Sequence, residues 1–113
     1  MEEKISKVKI KNIAQSAQKL RLIADLVRGK DVQQALDILE FTNKKGAKHI
    51  IKAINSGIAN AREKYGVDKA ELKIRRLMVD EAPTYKRGRF SARGRYSQIL
   101  KRRSHINLEL EVK

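Results

Sequence analysis

The sequence predicts an α+β fold: three helices packed on a small three-stranded antiparallel sheet, with a long extended β-hairpin arm. Three observations lead there. Apolar residues recur at helical spacing in three stretches between residues 16 and 66. The C-terminus alternates strictly, with Ile106, Leu108, Leu110 and Val112 on one face and Asn107, Glu109, Glu111 and Lys113 on the other, as a half-buried antiparallel strand does. Between Ala82 and Ile106 lie eight Lys or Arg residues and no carboxylate, and the strand that follows must return to the core. With 113 residues the chain has length for one modest core and reads as one domain, with a globular body at 1–80 and 106–113 and an arm at about 81–105.

The elements follow in order. Val8 and Ile10 alternate with Lys7, Lys9 and Lys11, which predicts a first strand. Ser16 stands as an N-cap before Leu20, Ile23, Ala24 and Val27, and Gly29 sits where a helix stops, so the first helix runs from about Ser16 to Arg28. Asp31 and Gln34 have capping-box spacing ahead of the stripe Val32, Ala35, Leu36 and Leu39, a second and shorter helix. After the turn-like Thr42-Asn43, the series Ala47, Ile50, Ile51, Ile54, Ile58, Ala61 and Tyr65 keeps one face apolar for about five turns, until Gly66. A strand begins near Leu72 and Ile74, and its apolar phase slips to Leu77 and Val79 after Arg75-Arg76, as at a bulge or a change of environment.

Pairing this strand with the last one, Leu72 against Leu110 and Ile74 against Leu108, centres the connection on Ser91. The run Arg87-Gly88-Arg89-Phe90-Ser91-Ala92-Arg93-Gly94-Arg95 is nearly mirror-symmetric about the same residue. Each arm beyond the apolar base then has roughly twelve residues, or about 40 Å. A two-stranded arm without a hydrophobic face is marginally stable in water, so it is expected to be flexible in isolation and ordered by what it binds.

Charge indicates the partner. Lys and Arg number 27 against 13 Asp and Glu, a formal net charge of +14, and residues 82–113 alone carry +7 of it. So large an excess on a short chain points to nucleic acid or an anionic membrane surface. Packed cations without internal counter-ions repel one another, and a polyanion lets them order. Tyr85, Phe90, Tyr96, Ile99 and Leu100 are interspersed with the cations, so rings and Arg planes can stack on unpaired RNA bases, and Gly88 and Gly94 permit close approach to phosphates. A solvated tail is the plain alternative for a charge run, but this run lies inside the fold. On the body, Lys7, Lys9, Lys11, Lys19, Arg21 and Arg28 are further candidates for phosphate contact, helix solubility being the alternative reading for those on the first helix.

Other chemistry finds little. There are no cysteines, which removes disulfides, thiolate nucleophiles and Cys-based zinc sites and fits an intracellular protein. The start lacks a signal-peptide core and no stretch approaches the roughly 18 apolar residues of a span, so a soluble cytoplasmic protein is expected. His49 and His105 lie far apart without metal-ligand spacing. Asp80-Glu81, before Pro83, read as a turn or charge pair rather than as catalytic carboxylates. Ser16, Ser56, Ser91 and Ser104 show no nucleophile elbow, and no glycine pattern matches a phosphate-binding loop. No enzyme, no cofactor and no metal site are expected. Lys86-Arg87-Gly88-Arg89 also has the look of a nuclear-localisation patch, which phosphate contact explains equally well.

Three motifs resemble one family. The run from Ser16 through Ala17-Gln18-Lys19-Leu20-Arg21-Leu22-Ile23-Ala24-Asp25-Leu26-Val27 to Arg28-Gly29-Lys30 is similar to the first-helix signature of the bacterial large-subunit ribosomal protein twenty-two family. So is Ala53-Ile54-Asn55-Ser56-Gly57-Ile58-Ala59-Asn60-Ala61, and the segment from Glu81-Ala82-Pro83-Thr84 to Ser104-His105-Ile106 resembles the family's C-terminal motif. The resemblance implies a constituent of the large subunit that binds 23S rRNA, contacts several rRNA domains and assists early assembly. It further implies a hairpin whose tip lines the nascent-peptide exit tunnel, near a constriction shared with another tunnel protein and close to where macrolide antibiotics act.

By that resemblance Lys86, Arg87, Arg89, Arg93 and Arg95 lie near the tip, with Tyr85, Gly88, Phe90, Ser91 and Gly94 as tunnel-tip candidates, and Lys101, Arg102 and Arg103 lie on the returning arm. Implied partners are 23S rRNA, neighbouring large-subunit ribosomal proteins and the nascent polypeptide, with no membrane and no homo-oligomer. Many relatives carry a Pro-Arg pair where this chain has Phe90-Ser91, a departure at the tip itself. The alternative is a histone-like architectural DNA-binding protein with basic β-arms. Such arms wedge apolar residues, often Pro, into base steps from their tips, whereas Pro83 here lies at the arm's base.

Overall fold

A computed structural model describes the backbone at residues 4–42, 44–90 and 96–113, with side chains described there except at 12 and 83–102. The order is β1 (Ile5–Ile13), α1 (Ala17–Val27), α2 (Val32–Phe41), α3 (Lys45–Tyr65), one 3-10 turn (Lys69–Glu71), β2 (Leu72–Phe90) and β3 (Tyr96–Val112). The strands form one antiparallel sheet in the order β1-β3-β2, with the last strand in the middle. This is the α+β fold read from the sequence.

The core lies between the helices and one face of the sheet. Leu20, Ile23, Ala24 and Val27 of α1, Leu39 of α2 and Ile50, Ile54 and Ala61 of α3 are closed off from solvent together with Leu72, Ile74, Leu77, Ile106, Leu108 and Leu110. Each Leu or Ile so buried contributes about 1.5–3 kcal/mol relative to exposure. Ile51 and Tyr65, which the helical stripe includes, are only half-buried, as are Val8 and Ile10 on β1. Among the described residues the two buried hydroxyls are satisfied: Ser6 Oγ donates to the Gly57 carbonyl at 2.9 Å and Ser104 Oγ to the Gln15 carbonyl at 2.6 Å. Where α3 crosses the sheet, Gly57 leaves room for Leu110; an added Cβ would lie 2.7 Å from Leu110 Cδ1. Gly66 ends α3 in the left-handed region (φ +67°), its N–H donating to the Arg62 carbonyl at 3.0 Å.

Two expectations about helix starts need correction. Ser16 and Asp31 occupy the N-cap positions of α1 and α2, but neither side chain caps. Asp31 instead bridges in backbone pairing to Lys73, and its carboxylate lies 3.1 Å from Lys113 Nζ. An ion pair across the fold displaces the local capping box.

Both bulges in β2 add a residue to this outer strand and none to β3. Ile74 pairs with Leu110 and Arg76 with Glu109, so Arg75 is the insertion that the phase slip announces. It turns Leu77 and Val79 inward while Arg76 and Met78 face out. The second lies between Ala82 and Tyr85, where Pro83 has no N–H for the ladder. A third irregularity falls in β1 between Ile10 and Ile13.

The hairpin register differs from the sequence expectation by two residues at the base: Leu72 faces Val112 and Ile74 faces Leu110. With the two bulges added, the outermost pair is Phe90 with Tyr96, which is symmetric about position 93 and not about Ser91. The molecule is correspondingly long, 66 × 28 × 18 Å, with a radius of gyration of 17.3 Å. A compact domain of this length would have about 13 Å.

Candidate nucleic-acid interface

Beyond Ala82, which is buried, the ladder continues through six pairs, from Tyr85 with Lys101 to Phe90 with Tyr96. Of the sequence-predicted arm residues, Lys86, Arg87 and Arg89 fall on the outgoing strand, and Lys101, Arg102 and Arg103 on the returning one. The side chains of Tyr85, Lys86, Arg87, Arg89, Phe90, Lys101 and Arg102 lie outside the described residues, as do Ser91, Arg93, Gly94 and Arg95 altogether.

Arg103 stands at the foot of the arm. It lines a hollow of about 440 Å³ with Ser16, Gln18, Lys19 and Glu81, so the fold brings together Lys19 and Arg103 from distant parts of the chain. Both cations border a single carboxylate, Glu81, among the residues that line it.

The face of the sheet turned away from the helices is polar and laddered. Glu109 of the central strand lies between Lys7 and Arg76, and Asn107 between Lys9 and Met78. Arg76 Nε reaches Glu109 at 3.6 Å and Lys73 Nζ reaches Glu111 at 3.0 Å. Asp80 accepts a hydrogen bond from Asn107 Nδ2 at 2.6 Å, a cross-strand structural contact. Lys7, Lys9 and Lys11 are exposed along β1, an edge strand of this sheet. Lysines suit such an edge in their own right, since they discourage pairing with another chain.

Arg21 and Arg28 have a second use that the sequence did not reveal. Arg21 Nε donates to the Val79 carbonyl at 3.1 Å; Arg28 donates to the Leu77 carbonyl from Nε at 3.1 Å and Nη2 at 3.0 Å, and from Nη1 to Asp25. The Ile74 N–H donates to the Lys30 carbonyl at 2.9 Å. Together these groups occupy the outer edge of β2 from Ile74 to Val79 and lock α1 against it. The only signal in the sequence is that both positions hold Arg, whose fork suits a carbonyl row, rather than Lys.

His49, half-buried on α3, titrates below the usual histidine value, first because burial disfavours its charged form and then because Lys45 and Lys52 repel it. Among the described residues no three His, Cys, Asp or Glu side chains gather as a metal site, and no helix is long and apolar enough to cross a membrane.

A small basic α+β body with a long paired arm and cations at the arm's foot has the charge and shape of a nucleic-acid-binding protein. The chain matches the family described as ribosomal protein L22p/L17e over residues 8–111, nearly its whole length, and belongs to that family of rRNA-binding, large-subunit ribosomal proteins. The family is a structural one whose role lies in translation, as part of the large ribosomal subunit.

Proposed function

We propose that this chain binds 23S rRNA chiefly through its arm, contacts several rRNA domains, assists early assembly of the subunit in the cytoplasm, and lines the nascent-peptide exit tunnel with the arm's tip. The observation that carries the reading is the six-pair ladder beyond the buried body, in a stretch with eight cations and no carboxylate. In this reading Lys86, Arg87, Arg89, Arg93, Arg95, Lys101, Arg102 and Arg103 neutralise phosphates, and Tyr85, Gly88, Phe90, Ser91 and Gly94 form the tip, with Phe90 on a base or facing the nascent peptide. Residues 1–80 and 106–113 act as the body that docks on the RNA surface beside neighbouring ribosomal proteins. It works as a single copy without a membrane.

On the body, Lys7, Lys9, Lys11 and Lys19 are the phosphate contacts, joined by Arg21. Arg28 has three donors engaged within the protein, so its share is smaller. Neutralising several phosphates makes affinity fall steeply with salt, by a slope of roughly 0.7–0.9 per contact. The test is competition between large-subunit RNA fragments and duplex DNA for the purified chain across a salt series, with co-sedimentation on large subunits at moderate salt. A flat salt dependence refutes the electrostatic reading, and preference for duplex DNA refutes the ribosomal one.

A further inference from the structure

We propose that Phe41 and the lysines around it form a second RNA-binding point, where an unpaired base stacks on the ring while Lys44, Lys45 and Lys48 hold the flanking phosphates. It rests on the rRNA-binding reading above and adds to it a site carried by α2 and α3, not by the hairpin. Phe41 is the last residue of α2 and is 86% exposed, the most exposed of the large apolar side chains among the described residues. The fold hides Leu39, two positions earlier, and leaves the aromatic ring in water, where its burial contributes nothing to folding.

The ring shares its hollow with three other apolar residues, Leu39, Ala47 and Ile51. It lines an open hollow of about 640 Å³, with Leu39 and Ile51 behind it and the exposed Lys44, Lys45 and Lys48 around it. Glu40 is the one carboxylate among the residues lining that hollow. A protein-docking face would present contiguous apolar area. An exposed ring among cations matches the two halves of a nucleotide, a flat π-face and a charged backbone.

The experiment uses the full chain and in vitro transcribed 23S rRNA as the probe, with affinities measured over a salt series. Phe41→Ala is expected to weaken binding roughly 5- to 150-fold at an unchanged salt slope, and Phe41→Tyr to bind within about twofold of the parent. Lys45→Gln with Lys48→Gln should lower the slope by about 1.4–1.8. Unchanged thermal midpoints show that an exposed position has been altered without loss of fold. Parent-like binding by Phe41→Ala overturns this proposal while leaving the arm-based reading intact. If Phe41→Ala binds RNA normally but incorporates poorly into large subunits, the ring faces a protein and the RNA site is equally overturned. Absence of salt-dependent rRNA binding by the parent chain brings down the proposed function itself, and this site with it.

Discussion

Gly57→Ala sets two effects of known size against each other. At an ordinary helical position alanine is favoured over glycine by about 1 kcal/mol. Here the new methyl would lie 2.7 Å from Leu110 Cδ1, 3.3 Å from Leu110 Cγ and 3.4 Å from Val8 Cγ2. Leu110 is fully buried, so its side chain has nowhere to swing, and the Ser6 hydroxyl bonded to the Gly57 carbonyl ties β1 to α3 at the same level. Overpacking of this kind costs about 1–3 kcal/mol, and with Leu110 enclosed the upper half applies. The net expectation is a loss of about 1–2 kcal/mol, or a fall in Tm of ~4–8 °C per kcal/mol, read by calorimetry. Ala59→Gly, at an exposed site on the same helix, calibrates the propensity term, and should itself cost about 1 kcal/mol. Combined with Leu110→Ala, Gly57→Ala should show a favourable coupling of about 1 kcal/mol in a double-mutant cycle. A rise in Tm for the single Gly57→Ala variant would refute the close-packing argument.

Three further outcomes are expected. Arg28→Met should lose about 1 kcal/mol in urea unfolding by baring the Leu77 carbonyl, and Arg28→Lys should not restore it, because one ammonium cannot replace the fork. His49 titrates lower in the folded chain than its unfolded value of 6.5, so the unfolded state takes up the proton first; Tm should fall as pH drops through 6.5 and level off below the folded-state pKa, and His49→Gln should remove that component. Replacing Lys101 and Arg102 with Gln should lower the salt slope of rRNA binding by about 0.7–0.9 each without changing Tm.

Helix positions, the bulge at Arg75 and the three-stranded sheet were legible because apolar periodicity records which side of each element meets the core. The register was not, because that same signal repeats every two residues: Leu72 is as well matched by Leu110 as by Val112. The two registers differ in their charge pairs. The observed register gives Lys73 to Glu111 and Arg76 to Glu109, whereas the alternative pairs Lys73 with Glu109 and leaves Glu111 without a cross-strand cation. The capping box failed for a related reason: Asp31 has local spacing for Gln34, but Lys113 reaches it from the far end of the chain. Of the candidate interface, the cationic stretch was evident from composition, while the pairing of Lys19 with Arg103 and the anchoring of Arg21 and Arg28 depend on contacts between residues roughly 50 or more positions apart.

The placement of β3 has a mechanical consequence. A single unbroken strand of 17 residues serves both as one side of the arm and as the middle of the body's sheet, flanked there by β1 and β2. Its inter-strand hydrogen bonds lie across the chain direction. Tension applied along the arm therefore loads the rungs on both flanks in shear, together, instead of peeling them one at a time. The arm is thus anchored as a rebar rod is anchored in concrete, along its length rather than at a joint.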